Sequence, residues 1–104
     1  MSNILHTFYV AGLQHHTEDE DLEQIEEGIE VLLMFDPENE YDSDAIQVLY
    51  PGLGQIGFVP KKINEEVGET MLFGPHWAEV FRFNPDADPW KMVKIAIYEE
   101  EETS

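Results

Sequence analysis

The chain has 104 residues, 42% hydrophobic and 12% aromatic, with 23 acidic against 5 basic side chains and a formal net charge of −18. That length suits one domain with a single modest core, and that apolar content excludes a disordered chain. The lack of cysteine excludes disulfides and thiolate metal sites, and so negative a field excludes broad electrostatic steering of nucleic acid.

The start, MSNILHTFYVAGLQ, has neither a basic leader nor a long apolar core. No signal peptide and no bilayer-spanning run are expected, so the expected location is cytoplasmic. Residues 7–13 (TFYVAGL) read as a first strand, rich in aromatic and β-branched side chains. Thr17 and Glu20 stand at capping-box spacing, and Leu22, Ile25 and Ile29 fall on one helical face, so a short acidic helix or turn is expected up to Gly28. Residues 29–35 (IEVLLMF) form a second strand, apolar on both faces and therefore expected to be buried. Residues 45–50 and 55–59 form a hairpin around Pro51-Gly52-Leu53-Gly54. Pro60 suits the first turn of a helix on which Ile63, Val67 and Met71 recur, and Gly74-Pro75 stops it. Residues 77–83 (WAEVFRF) give a fifth strand, 84–89 a turn-rich loop, 92–98 a sixth strand, and 99–104 a frayed acidic tail. The expected fold is mainly β: a small OB-like or SH3-like six-stranded antiparallel barrel with one or two short helices, a single domain over residues 1–98.

Gly52, Gly54 and Gly57 spell G-x-G-x-x-G, but that motif binds a dinucleotide only between a strand and a helix. Here the glycines lie between or within two strands, so they are read as a hairpin. His15 and His16 are adjacent and make a poor chelating pair, so neither a metal nor a cofactor is expected. No nucleophile–base constellation is visible, and the chain is not read as an enzyme. The acidic runs at 17–30 and in the tail are either a solvated face, a mimic of a phosphate backbone, or a dock for a basic partner.

Two basic residues, Lys61 and Lys62, stand where a helix begins. Free N–H groups at a helix start already attract anions, so two lysines there make a phosphate-sized positive pocket. The other reading pairs them with Glu65 and Glu66 at i, i+4 spacing, stabilising by only about 0.2–0.5 kcal/mol per pair. Tyr41 and Asp42 lie in a polar turn. They either stack on a base and accept from a hydroxyl, or cover the core edge and stabilise the turn.

Three stretches together, FYVAGL at 8–13, ENEYDSDAIQV at 38–48 and GQIGFVPK at 54–61, resemble the HIRAN domain in order and spacing. The resemblance spans most of the chain, from about Phe8 to about Tyr98. It implies an OB-like six-stranded barrel and, as in fork-remodelling ATPases, capture of the 3′-hydroxyl end of single-stranded DNA in a repair or replication-fork context. By position, Tyr41 is implied to stack on the terminal base, Asp42 to contact the 3′-hydroxyl, Asn39 to frame the pocket and Lys61 to face a phosphate. Within the family an Arg and an aromatic residue that touch DNA follow the first Gly-Leu; here those positions hold Gln14 and His15. Phe58 stands where the DNA-binding members carry a polar ring.

The expected function is therefore nucleic-acid binding, with single-stranded DNA ends as ligand and a site of Gln14, His15, Asn39, Tyr41, Asp42, Phe58 and Lys61. An acidic protein-interaction module or DNA mimic is the alternative. A basic protein or a helicase-type ATPase is the further partner class expected, and no membrane.

Overall fold

Six antiparallel strands, each contributing at least one buried apolar side chain, curl into one sheet in the order β1-β6-β5-β2-β3-β4 in the computed structural model, which describes residues 3–100. The strands are β1 (Ile4–Tyr9), β2 (Glu30–Phe35), β3 (Ile46–Tyr50), β4 (Gly54–Phe58), β5 (His76–Phe83) and β6 (Val93–Glu99). Two four-residue helices, α1 (Leu13–His16) and α2 (Asp19–Leu22), follow β1. The long helix α3 (Lys61–Phe73) follows β4, and a 3₁₀ turn (Pro89–Lys91) precedes β6. The mainly β, barrel-like expectation holds, with more helical segments than expected.

Strand β2 turns the sheet into a half-barrel. Glu30 and Val31 pair with β5, whereas Leu32 to Phe35 pair with β3. Closure comes from the far ends: Ala11, just past β1, bridges to Phe58 through N–H···O bonds of 2.8 and 2.9 Å. Gly57 permits it, because a Cβ there would lie 2.4 Å from both the Ala11 carbonyl oxygen and Val10 Cγ1. Gly52 and Gly54, with φ of 83° and 81°, make the β3–β4 turn. The three glycines thus serve a hairpin and a barrel seam.

Inside the curl, Ile46, Val48, Ile56, Val67, Ile95 and Ile97 are fully enclosed. On α3, Val67 enters this core and Ile63 and Met71 pack against it, as their spacing predicts. Pro60 sits one position earlier than expected, as the N-cap.

Several local expectations change. The first strand starts at Ile4 and ends at Tyr9 instead of running through 7–13, because Ala11 crosses to Phe58 and left-handed Gly12 (φ 73°) turns the chain into α1. Thr17 closes α1 by donating to Leu13 O at 2.7 Å, while Glu18 and Asp21 form the capping box that opens α2. The helix stops at Leu22 because Tyr50 Oη takes over the neighbouring backbone groups. It donates to Gln24 O at 2.9 Å and accepts from Glu26 N at 3.0 Å, and Ile25 turns inward. In β2 only Val31 is buried, while Leu32 and Met34 face outward, since no second layer covers that side. In the expected tail, Glu99 belongs to β6 and donates to Asn3 O at 2.8 Å, and Glu100 donates to Pro75 O at 3.1 Å. Residues 101–104 lie outside the described residues.

In β5 Ala78 and Val80 point inward and Trp77 outward, and the irregularity in register between Val80 and Arg82 lets Phe83 pack against the core. Trp77 stacks on Tyr98, with centroids 4.3 Å apart and planes at 14°, and the Tyr98 hydroxyl donates to Glu79 Oε1 at 2.8 Å. Loss of water around the ring, then the Glu79 carboxylate, raises the Tyr98 pKa above the ordinary phenol value. The folded chain therefore holds this proton more tightly than the unfolded chain. Its contribution is complete below about pH 10 and is lost as pH rises through the raised folded value. Thermal melts on either side of about pH 10 are expected to show a shallower fall for Tyr98→Phe than for the unchanged protein.

Candidate nucleic-acid interface

The loop between β2 and β3 is built on side chains that replace missing ladder bonds. Asp36 N–H donates to Ala45 O at 2.9 Å and closes its neck. Asn39 Oδ1 accepts from the backbone of Tyr41 at 2.9 Å and of Asp42 at 3.1 Å, and its amide donates to Asp36 Oδ2 at 3.1 Å. This Asx turn fixes the backbone while leaving the Tyr41 ring 89% exposed. Tyr41 therefore does not cover the core edge; its side chain stands largely in solvent.

Asp42 is held from three sides. Its Oδ1 accepts from Asp44 N at 2.9 Å, its carbonyl accepts from Ala45 N at 3.1 Å, and its Oδ2 accepts from Asn64 Nδ2 at 2.7 Å. Asn64 lies on the first turn of α3 and is the one polar side chain buried in the core of the described residues. A carboxylate has about four acceptor sites, so two such bonds orient Asp42 and leave capacity for a further donor.

These groups meet around a hollow of about 260 Å³ that is lined by Asn39, Tyr41, Asp42, Phe58, Lys61 and Asn64 over a floor of Ala11, Ala45 and Val59. Five of the seven expected site residues are thus together. Gln14 and His15 are not among them; both are exposed on α1, which packs against β4. His16 is the residue of α1 that reaches the site, meeting the Phe58 ring edge-on at 5.4 Å and 74°. The difference arises because helical turn α1 replaces the expected strand end.

The two lysines part company. Lys61 lines this hollow, whereas Lys62 lines a neighbouring one of about 430 Å³ with Tyr9, Pro60 and Trp90. Ala11 lines both, so the hollows adjoin. Lys94 places Nζ 5.5 Å from the Tyr9 ring centre. No side chain caps the start of α3, so its N–H groups add to the positive field there. Three of the five basic residues thus border one aromatic face of a protein of charge −18. Among the described residues no group of three or more His, Asp or Glu side chains gathers to hold a metal ion, and no helix is long and apolar enough to cross a membrane.

Residue reading alone missed Asn64, His16 and Trp90. A signal for Asn64 existed: Asn64, Val67, Gly68 and Met71 follow i, i+3, i+4, i+7, which puts a polar amide inside the apolar stripe.

Comparison with known proteins is consistent with this geometry. The family model for the HIRAN domain matches residues 5–101. A crystal structure of a protein from Lactobacillus plantarum superposes with a TM-score of 0.74 at 21% identity, covering 95% of each chain. The HIRAN domain of human HLTF superposes with a TM-score of 0.69 at 22% identity, covering 96% of this chain and 81% of the other. At these identities the two structures speak for the fold. A search of curated proteins finds no significant relative.

Proposed function

The chain belongs to the HIRAN domain family, and from that premise we propose that it binds nucleic acid, with the 3′-hydroxyl end of a single strand as its ligand. The observation that carries the reading is the free Tyr41 ring beside the oriented Asp42 carboxylate, with Lys61 on the same hollow. Tyr41 stacks on the terminal base, Asp42 accepts the terminal hydroxyl, and Lys61 with the α3 N-terminus takes a phosphate. The action is recognition without catalysis, in a setting where strand ends are exposed, as in repair or fork remodelling.

Fluorescence anisotropy with a short single strand tests this. Tyr41→Ala is expected to cost about 1–3 kcal/mol of binding, and Lys61→Glu to abolish most of the salt dependence. With so few phosphates neutralised, the salt slope corresponds to on the order of one to two charges. A 3′-phosphorylated strand is expected to bind more weakly, because its added charge meets the Asp42 carboxylate. Equal affinity for the two strands overturns end recognition.

A further inference from the structure

The outer face of the sheet carries an apolar row that the pocket does not use. Register places Ile4 opposite Tyr98, Tyr98 opposite Trp77, and Leu32 opposite Leu49. Leu32 and Trp77 are joined across a notch of about 130 Å³, which opens where β2 leaves β5 after Val31 and Ala78. The row thus crosses β1, β6, β5, β2 and β3 without a charged residue in it. Ile4 is 48% exposed, Leu32 65% and, one step along β2, Met34 50%. Carboxylates rim it: Glu30 and Glu79 pair in the adjoining row, and Glu100 stands just past the end of β6.

We propose that this face docks a segment of a partner protein in which apolar side chains are flanked by lysine or arginine. The apolar row supplies the contact area and the notch admits one side chain. The carboxylate rim selects the charge. A second copy of the chain is disfavoured because it brings the same rim and another −18 of charge, and an anionic membrane surface meets the same repulsion. The site lies on the outer face of the sheet and Tyr41 in the β2–β3 loop, so it stands independently of nucleic-acid binding.

The probe is a synthetic peptide with a leucine run between two lysine runs, titrated into ¹⁵N-labelled protein. Two control peptides replace the leucines by serine or the lysines by glutamate. The leucine–lysine peptide is expected to bind at least about tenfold more tightly than either control, the scale of burying one leucine. Its shifts are expected to centre on Ile4, Leu32, Trp77 and Tyr98 and to spare Tyr41 and Asn64. Leu32→Glu, a change at an exposed position, is expected to remove that advantage while preserving the melting temperature and oligonucleotide binding. Equal binding of the serine peptide, no binding of the leucine–lysine peptide, or shifts centred on the Tyr41 pocket overturns the proposal. So does a dimer of the free protein that Leu32→Glu dissolves, since the occupant is then a second copy.

Discussion

Gly57→Ala is expected to destabilise the protein by about 3 kcal/mol and lower its melting temperature by more than about 10 °C. The added methyl meets the Ala11 carbonyl oxygen and Val10 Cγ1 at 2.4 Å, a backbone group and the base of a fully buried side chain, neither of which yields cheaply. Overpacking of that kind costs about 1–3 kcal/mol, and parting the two Ala11–Phe58 hydrogen bonds adds roughly 1 kcal/mol for each. Gly52→Ala is the control. Nothing lies within 4 Å of its Cβ position, and only its φ of 83° is strained, worth about 1–2 kcal/mol. The two variants separate close approach from backbone strain, and equal melting of both sinks the argument for a tight seam. Because Ala11 and Phe58 also line the hollow, Gly57→Ala is expected to weaken oligonucleotide binding, whereas Gly52→Ala is not.

Elements whose cause is local were legible in the chain. The β3–β4 hairpin announces itself through Pro51-Gly52-Leu53-Gly54, and α3 through Pro60, the Ile63-Val67-Met71 spacing and Gly74-Pro75. The Asn39-to-Asp42 turn was legible for the same reason, since its bonds span at most three residues. What was not legible depends on distant partners. β1 ends where it does because Ala11 bonds to Phe58, and this contact also makes α1 a helix and delivers His16 in place of His15. The acidic segment breaks at Leu22 because Tyr50, from β3, takes over its backbone groups. The outward exposure of Leu32 and Met34 was hidden for another reason: a run of apolar residues reads alike whether one face or both are covered.

The charge distribution joins fold and proposed function. A body of charge −18 repels a polyanion, so binding must come from contacts made within a few ångströms. The residues placed for this are Lys61, the uncapped start of α3, and Lys62 and Lys94 on the neighbouring face. The proposed recognition requires a single carboxylate to be held in one orientation, and Asn64 is the side chain that donates to it.

Asn64→Asp is therefore expected to be the most damaging isosteric change at the site. The amide that donates to Asp42 Oδ2 at 2.7 Å becomes a carboxylate, buried and facing another at hydrogen-bond distance. Two such groups cannot both ionise, so the folded pair holds a proton well above the ordinary carboxylate pKa near 4. The folded state then binds more protons than the unfolded state between that value and neutrality, so stability falls as pH rises. The expected deficit is about 2–4 kcal/mol at pH 7, capped by the cost of keeping one proton on the pair roughly three pH units above its ordinary value. Below about pH 4 most of it returns. Asn64→Ala removes the donor without adding charge, and its deficit of about 1–2 kcal/mol is expected to be nearly flat across the same range. Urea titrations of both variants at pH 4 and pH 7 check this, and parallel pH profiles overturn it. Oligonucleotide affinity is expected to follow the same course, strongest in Asn64→Asp where the pair is protonated, because the pocket then recovers a carboxyl that bonds across to α3.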